Sequence, residues 1–94
     1  MFNGCNSLKE LDVSGWNTLE VTDMSKMFAW CDSLVKLDLS DWNTLKVTDM
    51  NDMFFSCKSL EVLEVSDWNV SSVTTMNGMF YECNKSIIPS WYKN

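Results

Sequence analysis

Arginine and histidine are both missing from this sequence, and its seven cations are all lysine. Without them the chain lacks the usual parts of an active site, and it also shows no nucleophile elbow and no glycine-rich phosphate loop. Thirteen acidic residues stand against those seven lysines, leaving a net charge of −6. That balance excludes the basic face that nucleic acid demands and works against binding to an anionic membrane surface. Nowhere do about 18 apolar residues follow one another to span a bilayer, and no basic-then-apolar signal peptide opens the chain. No CxxC pair is present to converge on zinc. Neither an enzyme nor a cofactor or metal site is expected.

What is present is a repeat. Met1–Lys26, Met27–Asp52 and Met53–Gly78 are three copies of one 26-residue unit, without insertion or deletion, and a fourth begins at Met79 and breaks off. Twelve of the 26 positions are identical in all three copies. A strict period in this range indicates coils that stack because none can bury its apolar face alone. With 46% hydrophobic residues, including five Trp and five Phe, there is ample material for one core. A single domain over residues 1–94 is therefore expected, with coils 1–26, 27–52 and 53–78 and a partial coil or cap over 79–94.

Within the first copy, Leu11-Asp12-Val13 alternates inward, outward, inward, as a short half-buried strand does. Asn17-Thr18 is turn chemistry at the end of that strand. Val21, Met24, Met27 and Phe28 then fall on one face of a helix, with Thr22 placed to cap it and Asp23 in its first turn. The fold class expected from this pattern is α/β: a leucine-rich-repeat-like solenoid of 26-residue coils, with short parallel strands on one face and short helices or 3₁₀ turns on the other. Leu11–Val13, Leu37–Leu39 and Leu63–Val65 would form its sheet. After Cys83 the period fails, and Ile87, Ile88 and Trp91 fall out of register with Leu8, Leu11 and Trp16. Pro89 suits only a sheet edge, so this tail reads as a cap. The first copy has no such cap, which leaves Met1, Phe2, Cys5 and Leu8 as an apolar end that needs a cover.

The unit MFxxCxSLxxLDxSxWNxxxVTxM resembles the BspA-like leucine-rich repeat of bacterial surface and secreted proteins and mycoplasma lipoproteins, also found in some protists. The closing IPSWY is similar to the way such arrays end. One departure is that Trp16, Trp42 and Trp68 stand where the general leucine-rich repeat has Asn or Cys. The resemblance implies a curved solenoid working in adhesion or protein binding at the cell surface or outside it, with no catalytic residues.

Residues 26 apart should line up in columns. Cys5, Cys31, Cys57 and Cys83 read as small buried thiols and not as a chelating cluster. The methionines Met24, Met50 and Met76, and Met1, Met27, Met53 and Met79, read as core filler beside Phe2, Phe28, Phe54 and Phe80. The tryptophans read as core lining whose indole N–H finds a carbonyl. Asp12, Asp38 and Glu64 form an outward row on strands about 4.8 Å apart, with Lys36 near to offset them and Asp41 and Asp67 extending the patch. Like charges so close repel unless a cation or a basic partner is present. Trp30, Phe55 and Tyr81 occupy variable, outward positions and are large enough to anchor an interface. These features point to a protein-interaction module with an acidic sheet face, its partner a protein of basic character. The alternative is a structural unit that assembles with further copies of itself through its uncapped first coil.

Overall fold

A computed structural model describes residue 4, residues 7–13 and residues 15–92 of the chain. Three elements of regular structure occur among them: strand β1 at Lys36–Asp38, strand β2 at Val62–Glu64, and a 3₁₀ turn at Lys85–Ile87. The two strands pair in parallel, Lys36 with Val62, Leu37 with Leu63 and Asp38 with Glu64. The first copy contributes only an isolated bridge, from Glu10 to Lys36.

This overturns the expected α/β solenoid. No α-helix occurs among the described residues, the sheet has two strands of three residues each, and the rest is turns and irregular chain. The reason lies in the backbone between Met24 and Leu34. A helix sends each N–H to the carbonyl four residues back. Here the N–H groups of Met24, Lys26, Phe28 and Trp30 leave the copy altogether and donate to Asp49, Asn51, Met53 and Phe55 at 2.8–2.9 Å. The intervening Met27, Ala29 and Cys31 donate three residues back, to Met24, Lys26 and Phe28. Lys26 and Trp30 have φ of 57° and 66°, and Asp52 and Ser56 repeat this at 57° and 61°. A left-handed residue every fourth position forbids a helix. Thr22 caps nothing; its carbonyl accepts the Thr48 N–H at 2.8 Å.

The copies nonetheless lie side by side in register. Asp23 bridges Asp49 and Asp49 bridges Thr75, all in parallel. Thr18 Oγ1 donates to the Asn43 carbonyl and accepts the Asn43 N–H, and Thr44 Oγ1 donates to the Asn69 carbonyl. Side chains follow the same register into one core. Phe28, Phe54 and Phe80 stack at 5.6 and 5.4 Å between ring centres. Met24, Met50, Met27, Met53 and Met79 are buried, as core filler should be, while Met76 is half-buried. Trp42 Nε1 donates to the Val13 carbonyl at 3.0 Å and Trp68 Nε1 to the Leu39 carbonyl at 2.9 Å, so each indole is seated on the preceding copy. Cys31 and Cys57 are buried and Cys83 is half-buried, and no disulfide joins these three. Met1, Phe2 and Cys5 lie outside the described residues.

The irregular tail restores a contact that its sequence register had lost. Asn84 caps the 3₁₀ turn by accepting the Ser86 N–H, and Ile87 drops into the core. Trp91 then stacks on Trp68 at 6.3 Å and donates Nε1 to the Val65 carbonyl at 2.9 Å. It occupies the seat that a tryptophan of a further copy would take, although it arrives three residues early in sequence.

Candidate functional site

The outward row forms as the alternation in the sequence requires. Leu37 and Leu39 are buried, Val65 is buried and Leu63 half-buried, so Asp38 and Glu64 between them turn to solvent as direct neighbours in the ladder. Asp12 follows from the Glu10–Lys36 bridge two residues earlier; it too is exposed. Asp38 Oδ1 accepts the Ser40 N–H at 3.0 Å and the Ser40 hydroxyl at 2.7 Å. Those two bonds hold the Asp38 carboxyl below the usual carboxylate range, helped by Lys36 and opposed by burial and by Asp12. At Asp38 the local hydrogen bonds therefore outweigh the repulsion from Asp12.

Glu10, Leu11, Asp12, Lys36 and Asp38 line one open depression of about 540 Å³. Glu10 was not singled out by sequence, yet the signal was there: it lies two residues before Asp12 and so shares its face. Asp41 and Asp67 are exposed but line a different depression, with Trp42, Asn43, Thr44, Leu45 and Asn69. Among the described residues no three acidic or cysteine side chains converge as metal ligands would.

The aromatic candidates come together elsewhere. Trp30 lies 5.0 Å from Phe55, and Phe55 stacks on Tyr81 at 4.9 Å. Trp30 is one position further along its copy than Phe55 and Tyr81 are along theirs, with the small, buried Ala29 at the equivalent place. Its left-handed backbone lets the indole lean across that gap onto Phe55. Trp30 and Tyr81 remain 46% and 57% exposed, so the ladder is a surface feature.

Over residues 1–91 the chain matches the family described as "Mycoplasma protein of unknown function, DUF285", and it belongs to that family. No curated protein and no solved structure matches it. Among the described residues no helix is long and apolar enough to cross a membrane.

Proposed function

We propose that this chain is a non-catalytic protein-interaction module of a bacterial surface or secreted protein, and that it docks a basic protein partner on the face formed by Asp12, Asp38 and Glu64. One observation carries the reading: three acidic residues from three copies share one exposed, in-register face, and Lys36 is the one cation lining the depression beside Asp12 and Asp38. Two further points support it. The family is a mycoplasma family, which suits a surface location, and the repeat unit resembles BspA-like sequences, which work in adhesion. Trp30, Phe55 and Tyr81 offer the same partner an apolar contact at a separate place.

The test uses an oligolysine peptide as the basic probe, titrated against the chain and against the triple variant Asp12→Asn, Asp38→Asn, Glu64→Gln. Exposed ion pairs contribute roughly 0.2–1 kcal/mol each, so three together should weaken binding by about tenfold at low ionic strength. The salt dependence should flatten as well. Equal affinity and equal salt dependence for the two chains would remove the acidic face as the docking surface.

A further inference from the structure

A smaller depression, of about 210 Å³, lies among Lys26, Ala29, Trp30, Asp52 and Phe55. Its aromatic lining comes from two successive copies. Ala29 is small and buried, and beside it the Trp30 indole meets the Phe55 ring at an angle of 59°, so the rings form a corner in place of a flat stack.

The charged lining, among the described residues, is one group of each sign. Lys26 and Asp52 hold the same position in neighbouring copies, in register: the Lys26 N–H donates to the Asn51 carbonyl and the Asp52 N–H to the Asn77 carbonyl. Neighbours though they are, they do not pair. Among the described residues neither side chain makes a hydrogen bond or an ion pair. Gly78, third in the same column, supplies the reason. A Cβ there would run into the Asp52 carboxylate and lie 3.6 Å from the Phe55 ring. The half-buried carboxylate thus lies over Gly78, beside Phe55 and away from Lys26.

This lining selects its ligand by charge. Lys26 opposes a cation and Asp52 opposes an anion. An apolar side chain laid on the rings would cover the Asp52 carboxylate without giving it a hydrogen bond, which is costly. A trans peptide unit carries its N–H and C=O in opposite directions, whereas Lys26 and Asp52 stand next to each other in one column. Neighbouring hydroxyls answer both groups, because each hydroxyl donates and accepts. The electron-rich ring faces suit weakly positive C–H groups. A pyranose sugar has both features.

We propose that this depression binds one terminal ring of a neutral glycan. The C–H face of the ring lies on Trp30 and Phe55, one hydroxyl donates to the Asp52 carboxylate, and its neighbour accepts from the Lys26 ammonium. One ring is assigned because the volume falls below the roughly 300 Å³ at which small-molecule pockets usually begin. The inference is independent of the acidic face and gives this end of the aromatic ladder a definite occupant.

The probes are cellobiose, maltose and lactose, with the methyl glycosides of their terminal sugars, titrated against the ¹⁵N-labelled chain. At least one disaccharide should move the Trp30 indole and the Asp52 and Phe55 amides saturably. A Kd on the order of 1 mM is expected from two hydrogen bonds to charged groups. Its methyl glycoside should bind about as tightly, since one ring fills the site. Trp30→Ala should weaken binding about tenfold through the lost ring face, and Asp52→Ala about tenfold through the lost acceptor. Asp52→Asn keeps an acceptor and tolerates the left-handed backbone, so it should recover most of the loss. Tetramethylammonium, acetate, N-methylacetamide and phenylalanine, standing for a cation, an anion, a peptide unit and a zwitterion, should not move these signals saturably. Their failure and the sugar's success in the unaltered chain decide the matter if a variant does not fold. Beads bearing galactose-terminated protein glycans and beads of a linear glucan distinguish the two sources of such a ring, and retention on either supports the site. The triple variant at Asp12, Asp38 and Glu64 should bind sugar like the parent, so loss of the acidic docking reading leaves this site standing. Absence of saturable movement with every sugar would overturn the proposal, as would preference for any of the four small probes. A folded Trp30→Ala chain with unchanged sugar affinity would overturn it too.

Discussion

At Gly78 the φ is +69°, and a Cβ placed there would run into the Asp52 carboxylate. Gly78→Ala should therefore destabilise the fold by about 1–3 kcal/mol, measured by urea unfolding. Lys26 holds the same place in the first copy with φ of 57° but carries a side chain. Lys26→Gly should be neutral or stabilising by up to about 1 kcal/mol, since it relieves a left-handed residue. Asp38 makes a prediction about pH. Its folded carboxyl titrates lower than in the unfolded chain, where a value of about 3.9 applies, chiefly because of the Ser40 hydroxyl. Its contribution to stability is thus complete above the unfolded value and is lost as pH falls through the lower folded one. Melting temperature should drop below about pH 4, and Ser40→Ala should make that drop shallower. Thiol reactivity is set by the same local logic. Cys57 Sγ donates to the Phe28 carbonyl at 3.1 Å, and its thiol is pushed up by the hydrogen bond shared with Cys83 and by burial. A disulfide reagent added to the native chain should label Cys83 before Cys57 and Cys31; rapid labelling of Cys31 would mean that the column faces outward.

At the level of elements, the inward and outward alternation of the sequence holds around β1 and β2, but both strands run one residue earlier than expected, the first copy forms a bridge at Glu10 in place of a strand over Leu11–Val13, and the expected helices are turns. The alternation around Leu37-Asp38-Leu39 leaves one arrangement, because a shift by one residue would bury Asp38 and expose both leucines. Asp12, Asp38 and Glu64 were legible for that reason. The segment Val21 to Phe28 was not. Its apolar spacing suits a helix face and equally suits linked turns that each bury every third or fourth side chain. What decides between them is the left-handed backbone at positions filled by Lys26, Asp52, Trp30, Ser56 and Glu82, residue types that give no such signal. Glycine does signal it, and Gly4 and Gly78 stand at the equivalent places. The tail was half legible. Pro89 marks an ending, but the three-residue shortening that brings Trp91 onto Trp68 shows only in the packing. Trp91→Ala removes that stack, the contact with Phe80 and the bond to the Val65 carbonyl. It should cost about 2–3 kcal/mol, somewhat below the core range for a large aromatic because the site is half-buried. A loss under about 0.5 kcal/mol, the level of an ordinary surface change, would show that the tail does not cap the core.

Across the whole molecule, the net charge of −6 is distributed unevenly in its effects. Exposed pairs such as Lys46 with Glu20, 2.7 Å apart, tie neighbouring copies together and contribute little. The strand face instead gathers carboxylates from all three copies, with Lys36 alone offsetting Glu10, Asp12 and Asp38 among the residues lining the depression they share. The aromatic ladder of Trp30, Phe55 and Tyr81 is a second surface, apolar and separate, which a peptide of lysine alone does not engage. The measurement that separates them is a titration of the ¹⁵N-labelled chain with the oligolysine probe, following the amide resonances. The expected result is a saturable, salt-sensitive movement of Glu10, Asp12, Lys36, Asp38 and Glu64, with Trp30, Phe55 and Tyr81 unmoved. Movement confined to the aromatic ladder, or uniform small shifts that never saturate, would contradict the acidic face as the docking surface.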